Sequence, residues 1–222
     1  MTALSLHVAH AVTPEGVIDD AVVEVEDGRI SSIRSADGAA GPARALWAVP
    51  GFVDTHCHGA DGVSFGDPDR EANLRAARYH RTHGTTTLFA STVTEPIEKL
   101  ERQLGVLRAL VEEGELAGIH LEGPFLAPER KGAHDVALLR DPDPESVGRL
   151  IAAGGPALKM ITMAVEREHG EAATRRFVEA GVHVAFGHSD ADDVTTARSI
   201  EWGADVVTHL FNAMRPIHHR EP

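Results

Sequence analysis

The sequence predicts an α/β fold in which parallel strands alternate with helices, preceded by a short antiparallel β segment. From residue 49 onward, apolar β-branched runs alternate with longer segments of helical period, as parallel βα units require. Before that point, short strands of alternating polarity are separated by turn residues, which is typical of hairpins. We therefore expect two domains, at residues 1–48 and 49–222.

The first 48 residues are expected to form a small β-domain. A turn at Asp27 and Gly28 is predicted to join two of its strands into a hairpin. The predicted strands cover residues 4–9, 21–26 and 29–33. This segment is interpreted as the N-terminal piece of a small β-sandwich.

The pattern of residues 49–222 predicts about six βα units of a TIM-like (β/α)8 barrel. The predicted strands cover residues 51–56, 85–91, 117–121, 158–164, 182–186 and 205–210. The segments between them are long enough for crossover helices, at residues 70–83, 96–113, 144–153, 166–180 and 192–203. Because such a barrel closes with eight strands, we expect an incomplete barrel, from the N-terminal part of a longer protein or from a truncated gene.

Composition narrows the classes of function. With 222 residues, 42% of them hydrophobic, the chain can bury one substantial core. The formal net charge of −13 argues against nucleic-acid and anionic-membrane partners, because a negative surface repels both. Cys57 is the single cysteine, so no internal disulfide is possible. With neither a signal peptide nor a long apolar window, the expected location is the cytoplasm.

Four potential metal ligands stand at or just past the ends of four different predicted strands: His56, Glu122, His188 and His209. In a βα barrel those ends converge on one face, where active sites are built. Three imidazoles and a carboxylate there can hold one or two divalent metal ions, the chemistry of a metal-dependent hydrolase. Zinc fits this ligand set, and iron, manganese or cobalt bind with similar geometry.

Each motif taken alone also has a structural explanation. His56 and His58 are two apart on a strand and can reach the same side, but such pairs also occur in exposed loops. Glu122 could form a buried salt bridge, and His120 is more typical of a hydrogen-bonded core histidine. Asp190 could orient the preceding histidine or cap the following helix. The coincidence on four strand ends favours metal binding.

Four motifs resemble those of the N-acetylglucosamine-6-phosphate deacetylases, metal-dependent enzymes of the amidohydrolase superfamily. The motifs are Pro-Gly-Phe-Val-Asp-Thr-His-Cys-His-Gly, His-Leu-Glu-Gly-Pro-Phe, Gly-His-Ser-Asp-Ala and Thr-His-Leu-Phe-Asn-Ala-Met, and the likeness runs over essentially the whole chain. The resemblance implies that Glu122, His188 and His209 bind the principal metal. It further implies that His56 and His58 support a second ion, with Glu122 bridging the two.

The resemblance also implies hydrolysis of the acetamide of N-acetylglucosamine 6-phosphate to glucosamine 6-phosphate and acetate. Arg220 matches a phosphate-binding arginine, and a guanidinium fork suits a phosphate. The other implied substrate contacts are Ala133, His134, Asn212 and Ala213. The family's acid and base is an aspartate at the end of the eighth strand, beyond residue 222, so no catalytic residue is predicted in this chain. The family also implies a homodimer.

Two other interpretations stay open from the sequence. Cyclic-amide hydrolases such as dihydroorotases and hydantoinases belong to the same superfamily but commonly use a carboxylated lysine as the bridging ligand. Lys159, near the fourth predicted strand of the barrel, is the candidate for that role. The chain could instead be a non-catalytic metal-binding fragment that pairs through its open sheet edges.

Overall fold

The computed structural model describes residues 3–38 and 45–220, and the chain divides into two compact units, Met1–Gly51 and Phe52–Pro222. The boundary between the units falls after residue 51, three residues beyond the predicted boundary after residue 48.

The described part of the first unit is a four-stranded sheet of β1 (Ala3–Thr13), β2 (Gly16–Glu26), β3 (Arg29–Ser35) and β4 (Ala45–Ala48). The strand order is β3-β2-β1-β4. β1 pairs antiparallel with β2, β2 antiparallel with β3, and β1 parallel with β4. Asp27 (φ 50°) and Gly28 (φ 76°) take the left-handed conformation that a two-residue hairpin turn favours. The three predicted strands are confirmed, and all three are longer than predicted.

The second unit is built on a parallel six-stranded sheet of β5 (Phe52–Cys57), β8 (Thr85–Thr92), β9 (Gly118–Glu122), β10 (Leu158–Met163), β11 (His183–Phe186) and β12 (Val206–Val207). The order across the sheet is β12-β11-β10-β9-β8-β5. A short hairpin that was not predicted, β6 (Gly59–Ala60) and β7 (Val63–Ser64), follows β5. The predicted incomplete TIM-like sheet is confirmed.

Five helices connect these strands: α1 (Arg70–Thr82), α2 (Ile97–Glu112), α3 (Pro144–Gly154), α4 (Gly170–Glu179) and α5 (Asp193–Glu201). The predicted helices are confirmed. The last strand was predicted at residues 205–210 but ends at Val207. His209 (φ 31°) and Phe211 (φ 71°) have positive φ, which takes the backbone out of the β region.

Helix packing against the sheet forms the main hydrophobic core. α2 buries Leu100, Leu104, Leu107 and Leu110 completely, at the spacing that places them on one face of a helix. Strand residues of β9 and β10 belong to the same cluster. No helix among the described residues combines the length and apolarity that a membrane span needs.

The sheet has two edge strands, β5 and β12. At the start of β5, Phe52 and Val53 are 63% and 67% exposed, although both are large apolar residues. A closed barrel would pair both edges. The described sheet is therefore an open portion of a barrel, with its helices packed on one side and its polar residues gathered at the carboxyl ends of the strands.

Candidate metal centre

The predicted metal ligands meet at the carboxyl end of the parallel sheet. Glu122 is the last residue of β9, and His56 and His58 lie at the end of β5 and just beyond it. His188 and His209 follow β11 and β12 in the short segments after those strands. These side chains are far apart in sequence but lie at the same end of the sheet, because all its parallel strands have their carboxyl ends there.

Glu122 lies at the centre of this cluster and is 5% exposed. Its Oε2 lies 3.0 Å from Nε2 of His58, and its Oε1 lies 3.2 Å from Nε2 of His188. The Nε2 atoms of His56 and His209 are each 3.5 Å from Oε1. The two carboxylate oxygens therefore face different imidazoles.

The imidazoles also approach one another through the nitrogens that face Glu122. The Nε2–Nε2 distance is 3.0 Å between His56 and His58, and 3.0 Å between His188 and His209. At most one proton fits between the two Nε2 atoms of each pair. At least one nitrogen of each pair therefore presents a lone pair beside the buried carboxylate. This donor set fits one or two divalent cations. That these residues are metal ligands stays a prediction.

Backbone carbonyls hold the opposite ring nitrogens. Nδ1 of His188 is 2.7 Å from the Arg130 carbonyl, and Nδ1 of His209 is 3.0 Å from the Asn212 carbonyl. Because a carbonyl only accepts, each Nδ1 carries a proton, so either ring, when neutral, has its lone pair on Nε2. This tautomer leaves Nε2, the nitrogen that faces Glu122, free to bind a metal ion.

His134, predicted as a substrate contact, is buried against Glu122. The Thr94 backbone N–H donates to its Nδ1 at 3.3 Å, so a neutral ring carries its proton on Nε2. That Nε2 lies 3.4 Å from Oε2 of Glu122. His134 is therefore suited to donate a hydrogen bond to the carboxylate. Sequence patterns missed this contact, because the loop after β9 that carries His134 has no periodicity.

The imidazoles control the ionisation of Glu122. Burial alone would raise the pKa of this carboxyl, but its contacts with the imidazoles of His134, His188, His56 and His58 favour the charged form, outweigh burial and hold the pKa far below its usual range. Burial lowers the pKa of His188, but the Glu122 carboxylate and the Arg130 carbonyl more than compensate and leave it raised. Glu122 is therefore an ionised carboxylate surrounded by imidazole nitrogens, a set of groups that suits a cation.

A chain of buried hydrogen bonds runs across the sheet beneath the cluster. Ser91 Oγ accepts from the Cys57 backbone N–H at 3.0 Å and lies 2.9 Å from Nδ1 of His120. Nε2 of His120 lies 2.8 Å from Thr162 Oγ1, which is 2.6 Å from Thr208 Oγ1. Burial lowers the pKa of His120 to about 3, so its ring is neutral. The prediction that His120 is a hydrogen-bonded core residue is confirmed.

A polar network that the sequence analysis missed supports the segment after β11. Arg130 contacts Asp190 Oδ1 through Nε at 2.8 Å and Nη2 at 2.7 Å. Glu166 accepts from Ser189 Oγ at 2.7 Å and from the Asp190 backbone N–H at 2.6 Å. Asp190 does not cap the following helix, because Asp192 is the residue that caps α5. Nor does Asp190 contact His188 directly: it contacts the Arg130 side chain, and the Arg130 carbonyl contacts Nδ1 of His188.

The remaining predicted substrate contacts lie around this centre or beyond it. Asn212 donates from Nδ2 to the His209 carbonyl at 3.2 Å, and Ala213 follows it with a positive φ of 49°. Ala133 and Arg220 are exposed. Within residues 3–38 and 45–220, the Arg220 guanidinium has no hydrogen-bond or ion-pair partner. Substrate contact by these residues stays a prediction.

Lys159 lies away from the cluster. It is the second residue of β10, whereas Thr162, three residues further along, pairs with Glu122. Three residues of strand span about 10 Å. The position of Lys159 therefore does not support a carboxylated lysine as a bridging ligand.

Residues 47–222 match the amidohydrolase family. The chain belongs to that family. It is 34% identical over 210 residues to an N-acetylglucosamine-6-phosphate deacetylase of Lysinibacillus sphaericus, a match that covers 90% of this chain and 54% of the relative. An N-acetylgalactosamine-6-phosphate deacetylase of Escherichia coli O157:H7 is 30% identical over 221 residues, covering 98% of this chain and 59% of the relative.

A solved structure gives the same result. A mutant N-acetyl-D-glucosamine-6-phosphate deacetylase from Mycobacterium smegmatis, in complex with N-acetyl-D-glucosamine-6-phosphate, is 42% identical, with a TM-score of 0.92. The match covers 100% of this chain and 59% of that one. The chain thus spans between half and two thirds of the length of these relatives.

Proposed function

We propose that this chain carries the metal centre of a deacetylase that hydrolyses N-acetylglucosamine 6-phosphate to glucosamine 6-phosphate and acetate. The observation that carries the proposal is the convergence of Glu122 and the surrounding imidazoles at the carboxyl ends of the strands. The similarity to deacetylases, one of them in complex with this sugar phosphate, supports the substrate assignment.

In this proposal, Glu122, His188 and His209 hold the principal ion, and His56 and His58 hold a second one. The two oxygens of Glu122 face different imidazoles, which suits a bridging carboxylate. Zinc is the proposed metal, with iron, manganese or cobalt as alternatives. A divalent cation in such a site supplies Lewis-acid chemistry: it polarises a carbonyl and lowers the pKa of water.

The chain's own residues position this chemistry. Carbonyls of Arg130 and Asn212 fix the ring orientation of His188 and His209, and His134 orients the Glu122 carboxylate. Hydrolysis adds water to the acetyl carbonyl carbon and breaks the C–N bond, so the departing amine must gain a proton. The proposed donor is the aspartate that the family resemblance locates beyond residue 222.

Substrate binding is proposed to involve Ala133, His134, Asn212 and Ala213 around the sugar. Arg220 is proposed to pair with the phosphate, because its guanidinium is exposed and otherwise unpartnered in the described part of the chain. A homodimer in the cytoplasm is the proposed context.

The test is acetate release from N-acetylglucosamine 6-phosphate with added zinc, iron, manganese or cobalt. It compares this chain, a version extended by any downstream coding sequence, and the Glu122→Gln variant of each. We expect metal-dependent release of acetate from the extended form. The Glu122→Gln change should lower this activity by more than the roughly 10- to 100-fold loss that is typical when residues hydrogen-bonded to metal ligands are changed.

N-acetylgalactosamine 6-phosphate and unphosphorylated N-acetylglucosamine are the substrate controls. Faster hydrolysis of N-acetylgalactosamine 6-phosphate would change the proposed substrate to that sugar phosphate. Equal activity on unphosphorylated N-acetylglucosamine would argue against phosphate binding by Arg220. An extended form that binds metal but releases no acetate would refute the proposed reaction.

A further inference from the structure

A second group of potential metal ligands lies where β5 faces α1. It consists of Asp54, Cys57 and His80, whose ligand atoms all lie within 4.8 Å of one another. All three residues are partly buried. None of them belongs to the proposed Glu122 centre, and no step of the proposed reaction uses them.

An irregularity in β5 brings the first two residues together. Asp54 pairs with Leu88 and Cys57 pairs with Ala90, so three steps along β5 match two steps along β8. In a regular strand, residues three apart point to opposite faces. The extra residue in β5 forms a bulge, and a bulge changes the direction in which side chains point. Asp54 and Cys57 can therefore approach the same neighbour on α1.

The donor atoms have the spacing of a compact coordination site. Sγ of Cys57 lies 3.0 Å from Nε2 of His80, and the Gly59 carbonyl oxygen lies 3.4 Å from that Sγ and 3.2 Å from that Nε2. A tetrahedral site with zinc bonds of 2.0–2.3 Å has edges of about 3.3–3.8 Å between ligand atoms. The observed triangle is close to one face of such a tetrahedron.

Close packing fixes the Gly59 carbonyl in this place. Gly59 has a φ of +137°, and a Cβ at this position would lie 1.9 Å from the Val63 carbonyl oxygen across the β6–β7 hairpin. Only glycine fits such an approach. The hairpin therefore holds a backbone oxygen beside the thiol and the imidazole.

We propose that Asp54, Cys57 and His80 form a separate binding site for a zinc-class divalent cation, with the Gly59 carbonyl or a water as fourth ligand. A thiolate ligand selects zinc-class metals over magnesium and calcium, whereas the nitrogen and oxygen donors around Glu122 are less selective. A cation in this site links β5 to the last turn of α1. The proposal is independent of the deacetylase activity.

Cobalt substitution tests the site directly, because Cys57 is the single cysteine in the chain. Only a thiolate ligand gives a sulfur-to-cobalt charge-transfer band in the near ultraviolet, so a Glu122 centre without sulfur does not contribute. We expect the band when cobalt is titrated into the 222-residue chain, its loss in Cys57→Ser, and its persistence in Glu122→Gln. In His80→Gln the band should be lost or need a higher cobalt concentration.

Thiol alkylation supplies a second measurement that does not depend on cobalt. In the Glu122→Gln background, zinc should slow the reaction of Cys57 with iodoacetamide, and the His80→Gln change should remove that protection. A folded chain that shows no charge-transfer band at saturating cobalt, or an alkylation rate unaffected by zinc, would overturn the proposal.

Discussion

Replacing Thr162 by valine tests the hydrogen-bond chain beneath the metal centre. The substitution exchanges a hydroxyl for a methyl of similar size, so it leaves no large cavity. It removes the contacts of Thr162 Oγ1 with His120 Nε2, at 2.8 Å, and with Thr208 Oγ1, at 2.6 Å. All three side chains are buried, so water cannot easily replace the lost partner.

The magnitude follows from the two groups left without a partner. Each buried polar group that loses its hydrogen bond costs about 1–3 kcal/mol. The Thr208 hydroxyl can rotate, so we expect the lower part of the combined range, a loss of about 2–4 kcal/mol in the free energy of unfolding. At about 2–4 °C per kcal/mol for a chain of this size, the melting temperature should fall by about 4–16 °C.

Thr92→Val is the matched control, and urea denaturation with thermal unfolding is the assay. Thr92 lies in the same sheet and is fully buried, but its Oγ1 has no hydrogen-bond partner among the described residues. The same substitution there should be neutral or stabilising. Equal losses in the two variants would refute the view that the chain from Ser91 to Thr208 holds the strands together.

Three further outcomes are expected. Asp143→Ala should lower stability by about 1 kcal/mol because the α3 cap is lost, and Asp143→Asn should retain the cap. Hydrogen bonds from Ser146 and Arg140 lower the pKa of Asp143 to about 2, so its stabilisation is present above the unfolded-state value near 3.8 and disappears as pH falls to about 2. An acid titration of stability in the unsubstituted chain, compared with the two variants, measures this. Gly123→Ala should reduce both stability and metal affinity, since its φ is +81° and a Cβ would lie 2.2 Å from Thr94 Oγ1; unchanged calorimetric metal binding would contradict this. For each site that it occupies, zinc at 100 times its dissociation constant should add about 2.7 kcal/mol and raise the melting temperature by about 5–11 °C, and a chelator should reverse the shift.

The order of strands and helices in the second unit could be predicted from the sequence because parallel βα units leave a strong pattern. Their strands are buried apolar runs, and their helices are long and periodic. The meeting of His56, Glu122, His188 and His209 followed from the same pattern, since each stands at the end of a strand. Parallel strands bring such residues to one edge without further information.

Contacts made by loops could not be predicted in this way. His134 reaches Glu122, and Arg130 supports His188, through a segment that no hydrophobic period describes. Their partners lie on other strands, and only the folded path of the loop brings them together. The bulge in β5, which brings Asp54 towards Cys57, likewise depends on pairing with β8 and leaves no mark in the local sequence.

Glu122 and its surrounding histidines are proposed to form a divalent metal centre. The most direct test is isothermal titration of zinc into Cys57→Ser, which lacks the second proposed site, and into Cys57→Ser combined with Glu122→Gln, with circular dichroism to verify folding. We predict tight binding of one or two ions in the first protein and a loss of that binding in the second. Equal zinc stoichiometry and affinity in both folded proteins would contradict the account.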